Sequence, residues 1–227
     1  MKKTILTLMV MVGMLAVAGQ AFAMTATLTA DNHYGLYFGS SNGSTLTFVG
    51  RNETGAAGSP GSFNWSLPET WTFNVASGDH LYVVAWDDTG IQSLLGEFAL
   101  ANSTTLYTNT VDWEFYVSAN PNPGLEGPVP SLPTLQGEIA GASWGTPLGA
   151  GNLNDGTVFG WGHIPGISSD ASFVWHDTFS DSSSSDNNYV IYRTINEVPT
   201  IPEPASMMLF GMGSGVMGFL ARRKNKK

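Results

Sequence analysis

Between Met24 and Glu197 no segment carries the 3.6-residue apolar stripe of an amphipathic helix; apolar residues come in short runs closed off by turn-forming clusters. Such a chain buries its apolar groups by pairing strands and facing sheets together. Thr, Val, Tyr, Phe and Trp fill the runs, while Gly, Asn, Ser and Pro separate them. The expected strands are Thr25 to Thr29, His33 to Phe38, Thr45 to Val49, Trp71 to Val75, His80 to Trp86, Gly96 to Leu100, Asp112 to Val117, Ser172 to Trp175 and Tyr189 to Thr194. The expected fold is all-β, a single β-sandwich domain over residues 24–197.

Turn chemistry refines this. Ser41-Asn42-Gly43-Ser44 joins two expected strands, and Ser77-Gly78-Asp79 separates two more, so two hairpins are expected. Leu81 to Trp86 shows little polar alternation, the mark of a central strand buried on both faces. Five prolines between Asn120 and Pro133 predict a long loop, an insertion within the one domain.

Charge narrows the partners. The chain carries 9 basic and 18 acidic residues, a formal net charge of −9. Between Met24 and Pro204 only Arg51 and Arg193 are basic, so two cations face 18 carboxylates, a balance of −16. No phosphate-binding Lys/Arg stripe can be built there, which excludes nucleic acid. At 12% charged and 11% aromatic residues, the chain has the apolar groups that a disordered acidic tail lacks. Cysteine is absent, excluding disulfides, thiolate nucleophiles and Cys-ligated metals.

Both ends differ from the middle. Lys2 and Lys3 precede an apolar run from Ile5 to Ala18, and Ala21-Phe22-Ala23 supplies the small-x-small pattern that signal peptidase accepts. Residues 1–23 are therefore expected to be a secretory signal peptide, a helix removed to leave Met24 as the mature start. At the other end Pro202-Glu203-Pro204 introduces 17 uncharged residues, Ala205 to Ala221, followed by Arg222, Arg223, Lys224, Lys226 and Lys227. As a helix this run spans roughly 26 Å, enough for a thin bilayer, with the cations held on the cytoplasmic side. The prolines cannot join that helix, so Pro-Glu-Pro stays extended outside the membrane, where an enzyme can reach it. A plain C-terminal membrane anchor is the other reading of these parts.

Ile201-Pro-Glu-Pro-Ala-Ser206, the Gly-rich apolar run and the terminal Arg/Lys cluster resemble the PEP-CTERM sorting signal of Gram-negative bacteria, over residues 198–227. The resemblance implies recognition by an exosortase, an integral-membrane cysteine transpeptidase-like enzyme. It further implies a transient inner-membrane anchor with the domain in the periplasm, removal of the tail, and delivery to the cell surface or extracellular matrix. A second resemblance lies in the middle. Ala30-Asp31-Asn32-His33-Tyr34-Gly35-Leu36-Tyr37, Asn64-Trp65, Trp71 to Asp79, Leu81 to Asp87, Ala171 to Trp175 and Tyr189 to Arg193 are similar to galactose-binding-like jelly-roll modules. That likeness implies a jelly-roll-like sandwich, with saccharide binding or a spacer role, and in some modules a structural calcium ion.

The chemistry-bearing residues leave alternatives open. All seven tryptophans lie in the middle region, and Trp or Tyr rings can stack on sugar faces as readily as fill a core. Trp144 and Trp161, in Gly-rich loops, are the candidate glycan platforms. Asp31, Asp87 and Asp88 lie in oxygen-rich turns that suit calcium, as does Asn152-Leu-Asn154-Asp155-Gly156, although ordinary turn chemistry also explains them. Asp112 and Glu114 are spaced like paired carboxylates, but residues two apart on a strand are commonly a solvated sheet face. His33, His80, His163 and His176 show no zinc spacing, and no catalytic residue is expected. The polar tract Ser180 to Asn188 reads as a solvated connector. The function expected is therefore a structural or matrix-interaction role at the surface. The alternatives are a carbohydrate-binding module retaining exopolysaccharide and, further off, a glycan hydrolase. The expected partners are signal peptidase, an exosortase, the membrane before processing, and exopolysaccharide in the alternative reading; no cofactor is expected beyond a structural calcium.

Overall fold

A computed structural model describes residues 22–52, 65–87, 90–124, 127–158, 160–177 and 187–199. The expected signal helix, transmembrane helix and polar connector lie outside these residues, apart from the connector's last two positions and from Phe22 and Ala23, which are strand rather than helix because they pair with Val75 and Asn74. Among the described residues the order is β1 (Phe22–Asp31), β2 (His33–Gly39), β3 (Thr47–Arg51), β4 (Glu69–Val75), β5 (His80–Trp86), β6 (Ser93–Ala99), β7 (Thr105–Tyr107), β8 (Trp113–Pro121), α1 (Leu132–Gly141) and β9 (Asn188–Thr194). The strands form two antiparallel sheets, a four-stranded β4-β1-β6-β7 and a five-stranded β3-β2-β5-β9-β8.

Period-two patterning sets the core. Met24, Ala26, Leu28 and Ala30 alternate along β1 and meet Leu36, Leu81, Val83, Ala85, Val190 and Tyr192 from the larger sheet. Each large apolar side chain buried there contributes about 1.5–3 kcal/mol. β5 lies at the centre of the five-stranded sheet and all seven of its residues are buried. Its second face, with Tyr37, Tyr189 and Ile191, packs under Leu135 and Ile139 of α1.

That helix corrects the sequence reading, which has a long loop followed by no helix. Ser131 caps it by accepting a hydrogen bond from Thr134 N–H, and Pro133 sits in the first turn, where no donor is needed. Only Leu135 and Ile139 of the helix are buried, a stripe one turn long that periodicity does not reveal. Glu138 anchors the helix by accepting from Ser118 Oγ at 2.5 Å, Asn120 Nδ2 at 2.9 Å and Tyr189 Oη.

The turn at Ser41–Ser44 does join a hairpin, β2–β3. The turn at Ser77–Asp79 does not: β4 pairs with β1 in one sheet while β5 lies in the other. Gly78 supplies a φ of 88° there, and the Asp79 carboxylate accepts from Ala76 N–H at 2.9 Å, so the turn carries the chain from one sheet to the other. Ser172 to Trp175 makes isolated bridges rather than a strand, because its residues pair with different segments: Ser172 with Leu153, Val174 with Leu94, and Trp175 with Leu148. Gly145 bridges Phe115 of β8, so residues 145–175 link β8 to β6 across one open side of the sandwich. On the opposite side Trp71 of β4 lies over Gly50 of β3, where a Cβ would stand 2.4 Å from the indole. Trp71 also donates to Tyr34 Oη at 2.8 Å.

Candidate functional site

Two residues singled out for different reasons meet at one end of the sandwich. Asp31 closes β1, and Trp161 comes from the Gly-rich segment that covers the outer face of β6. The Trp161 indole N–H donates to Asp31 Oδ2 at 3.0 Å, and Asn32 Nδ2 donates to Asp31 Oδ1 at 2.8 Å. Trp161 is 6% exposed and stacks on Phe173 at 5.0 Å, within a cluster with Leu95, Ile164 and Ile167. The expectation of a surface platform at Trp161 is thus corrected. Glycines on both sides let the chain turn inward, and the indole finds an acceptor for its N–H at the strand end.

Burial pushes the Asp31 carboxyl up to about 6 against the lowering effect of Trp161. Since the native state holds the proton more tightly than the unfolded chain, the carboxylate penalises the fold. The penalty is absent below about pH 4, grows as pH rises to about 6, and is full above that. Asp31→Asn removes it but leaves one acceptor oxygen for two donors. It should stabilise the domain by about 1–2 kcal/mol at pH 7.5 and lose most of that gain by pH 4, read from urea melts.

The calcium expectation meets a different arrangement. Both Asp31 oxygens face N–H donors, Asp87 is 1% exposed, and Asp88 lies outside the described residues. Among the described residues no group of three or more His, Asp or Glu could hold an ion. The turn at Asn154 is structural: its buried amide donates to Ile164 O and Ile167 O at 3.0 and 2.9 Å, and accepts from Ile164 N–H at 2.6 Å. Asn154 is the residue that shapes the segment carrying Trp161, and its polar type on an otherwise turn-like stretch gave no sign of this.

Trp144 sits on the outer face of the larger sheet, half-buried. The Arg193 guanidinium lies 4.1 Å from its ring centroid, and Tyr116 meets it edge-on at 6.4 Å. Arg193 also donates to Glu114 Oε1 through Nε at 2.9 Å and through Nη2, and to Ser41 O. Glu114 is therefore an ion-pair partner, and Asp112 is held by Asn109 Nδ2 at 2.8 Å in the preceding turn. The two carboxylates have separate partners, Asn109 and Arg193, while Trp113 between them points into the core. Arg51 donates to Gly127 O at 2.8 Å and lies 5.9 Å from the Trp86 ring, on which His33 also stacks. His80 and His163 each donate from Nδ1 to a backbone carbonyl, Thr194 O and Asn154 O.

At the far end the chain leaves the domain. Val198 is 5% exposed, and its N–H donates to Asp79 O at 2.7 Å. A cavity of about 180 Å³ opens beside it, lined among others by Leu100, Leu106, Thr194 and Pro199. β1 starts at this same end, where Phe22 pairs with Val75 and Ala23 with Asn74, so Ala23 and Met24 lie within the β1–β4 ladder. Ala21 lies outside the described residues, as do Pro202, Glu203 and Pro204. A family model for this region, described as a PEP-CTERM protein-sorting motif, matches residues 200–224.

The chain carries a PEP-CTERM sorting motif.

The PEP-CTERM match begins two residues after buried Val198, and it contains Pro-Glu-Pro, the apolar run and the first cations behind it. It marks an exported protein that is sorted at the membrane and processed by an exosortase. No curated protein and no solved structure matches the chain.

Proposed function

We propose that the β-sandwich is the cargo of this sorting route: a non-catalytic surface or extracellular-matrix protein with a structural or matrix-interaction role. It is anchored in the inner membrane with the domain in the periplasm, then released by tail removal. The observation that carries this reading is the sorting motif, which begins two residues after Val198, where the chain is still bonded to the domain. The carboxylates that motivated a hydrolase, Asp112 and Glu114, hold Asn109 and Arg193. The carbohydrate alternative loses support, since Trp161 is inside and one face of Trp144 lies against Arg193.

Intact mass and C-terminal sequencing of the protein recovered from the surface of its host test the reading. A chain that starts at Met24 and lacks the apolar run is expected. A full-length chain in the cytosol would overturn it, and turnover of a glycan by the purified protein would remove the non-catalytic role.

A further inference from the structure

Resting on the sorting reading, we propose that the end of the sandwich bearing Val111, Asp112, Ile195 and Glu197 is a contact surface for the membrane-embedded processing enzyme. The tether requires a contact. The chain is held to the domain as far as Val198, and Glu203 follows five residues later. Five fully extended residues reach at most about 18 Å. Two packed helices are already about 20 Å across. An enzyme built from membrane helices therefore touches the domain when it engages the motif, provided Val198 stays seated.

The end itself is suited to a protein partner. Val111 is 76% exposed and Ile195 is 46% exposed, and the two segments are joined by Ile195 N–H donating to Asp112 O at 2.8 Å. Val111 is presented on a braced turn: Asn109 Oδ1 accepts from Val111 N–H at 2.8 Å and Asp112 N–H at 2.7 Å, while Asn109 Nδ2 donates to Asp112. The apolar-walled cavity opens alongside, with Asp112 and Glu197 in its lining. Asp79 lies at the same end, bonded to Val198. Three carboxylates next to a membrane leaflet repel anionic headgroups and favour a partner with an apolar projection flanked by basic groups. That partner is the enzyme rather than the lipid.

The test follows tail removal by pulse-labelling of the full-length chain in its host. The double variant Val111→Asp/Ile195→Asp changes two exposed side chains. It should slow tail removal about fivefold to tenfold, the effect of losing an apolar anchor at an interface. A flexible insertion of about twelve residues between Pro199 and Thr200 reaches roughly 20 Å further and should restore the rate in the double variant. A photo-crosslinker at position 111 should form an adduct with an epitope-tagged exosortase in the precursor. Normal tail removal in the double variant, no rescue by the insertion, or adducts with lipid alone would each overturn the proposal. A wild-type chain that is never shortened would sink the sorting reading and this contact with it; failure of the double variant alone to slow would sink only the contact.

Discussion

Trp161→Ala is expected to destabilise the domain by about 3–5 kcal/mol, enough to unfold a marginal domain at growth temperature. The loss has two sources. Removing the indole leaves a void against Phe173, Leu95 and Ile167, on which the segment from residue 160 to 173 folds. It also strips Asp31 Oδ2 of its indole donor, so that among the described residues Asn32 is the side-chain partner left to the carboxylate. The second source vanishes when the native carboxyl is protonated, so part of the loss should be recovered below about pH 6. In the background of Asp31→Asn the substitution should cost less than in the wild type, and a double-mutant cycle from urea melts measures that coupling. A solvent-exposed sugar platform at this position would instead give a stability change within about 0.5 kcal/mol.

Glu203→Ala, or replacement of both Pro202 and Pro204, should leave the chain at precursor length in the inner membrane. The effect is close to all-or-none because the motif is short and its parts act together. Proline fixes φ and removes a donor on either side of the acid, which lowers the ordering cost of recognition by the enzyme. Loss of the acid removes the group a cationic pocket would read. Membrane fractionation with mass determination checks this, and a mutant indistinguishable from wild type in length and location would contradict it. Stability of the domain should not change, since Val198 and everything before it are untouched.

The sandwich was legible because its strands announce themselves. β1 alternates Met24, Ala26, Leu28 and Ala30 toward the core, and β5 is apolar from Leu81 to Trp86 because helix and sheet cover its two faces. What was hidden depends on distant partners. α1 buries two side chains, so its own sequence hardly requires a helix, and the Tyr37–Ile191 face it covers supplies the reason. The turn at Gly78 looks like a hairpin locally, yet β4 is claimed by β1 through the pairs from Phe22–Val75 to Leu28–Glu69. Trp161 lies among glycines and so looks exposed, but an acceptor 130 positions earlier in the chain, Asp31, draws it inside. The sorting motif was the most readable part, because its chemistry is local: proline geometry, an uninterrupted apolar run and a cluster of cations.

The placement of Ala23 and Met24 in the β1–β4 ladder has a bearing on timing. Their backbones register with Asn74 and Phe73, and a peptide bond zipped into a sheet cannot be threaded through a protease cleft. If the leader is clipped after Ala23, clipping has to precede closure of those first rungs. Maturation and the final knitting of the smaller sheet are then successive events, with severance of the leader as the step that lets the strand settle.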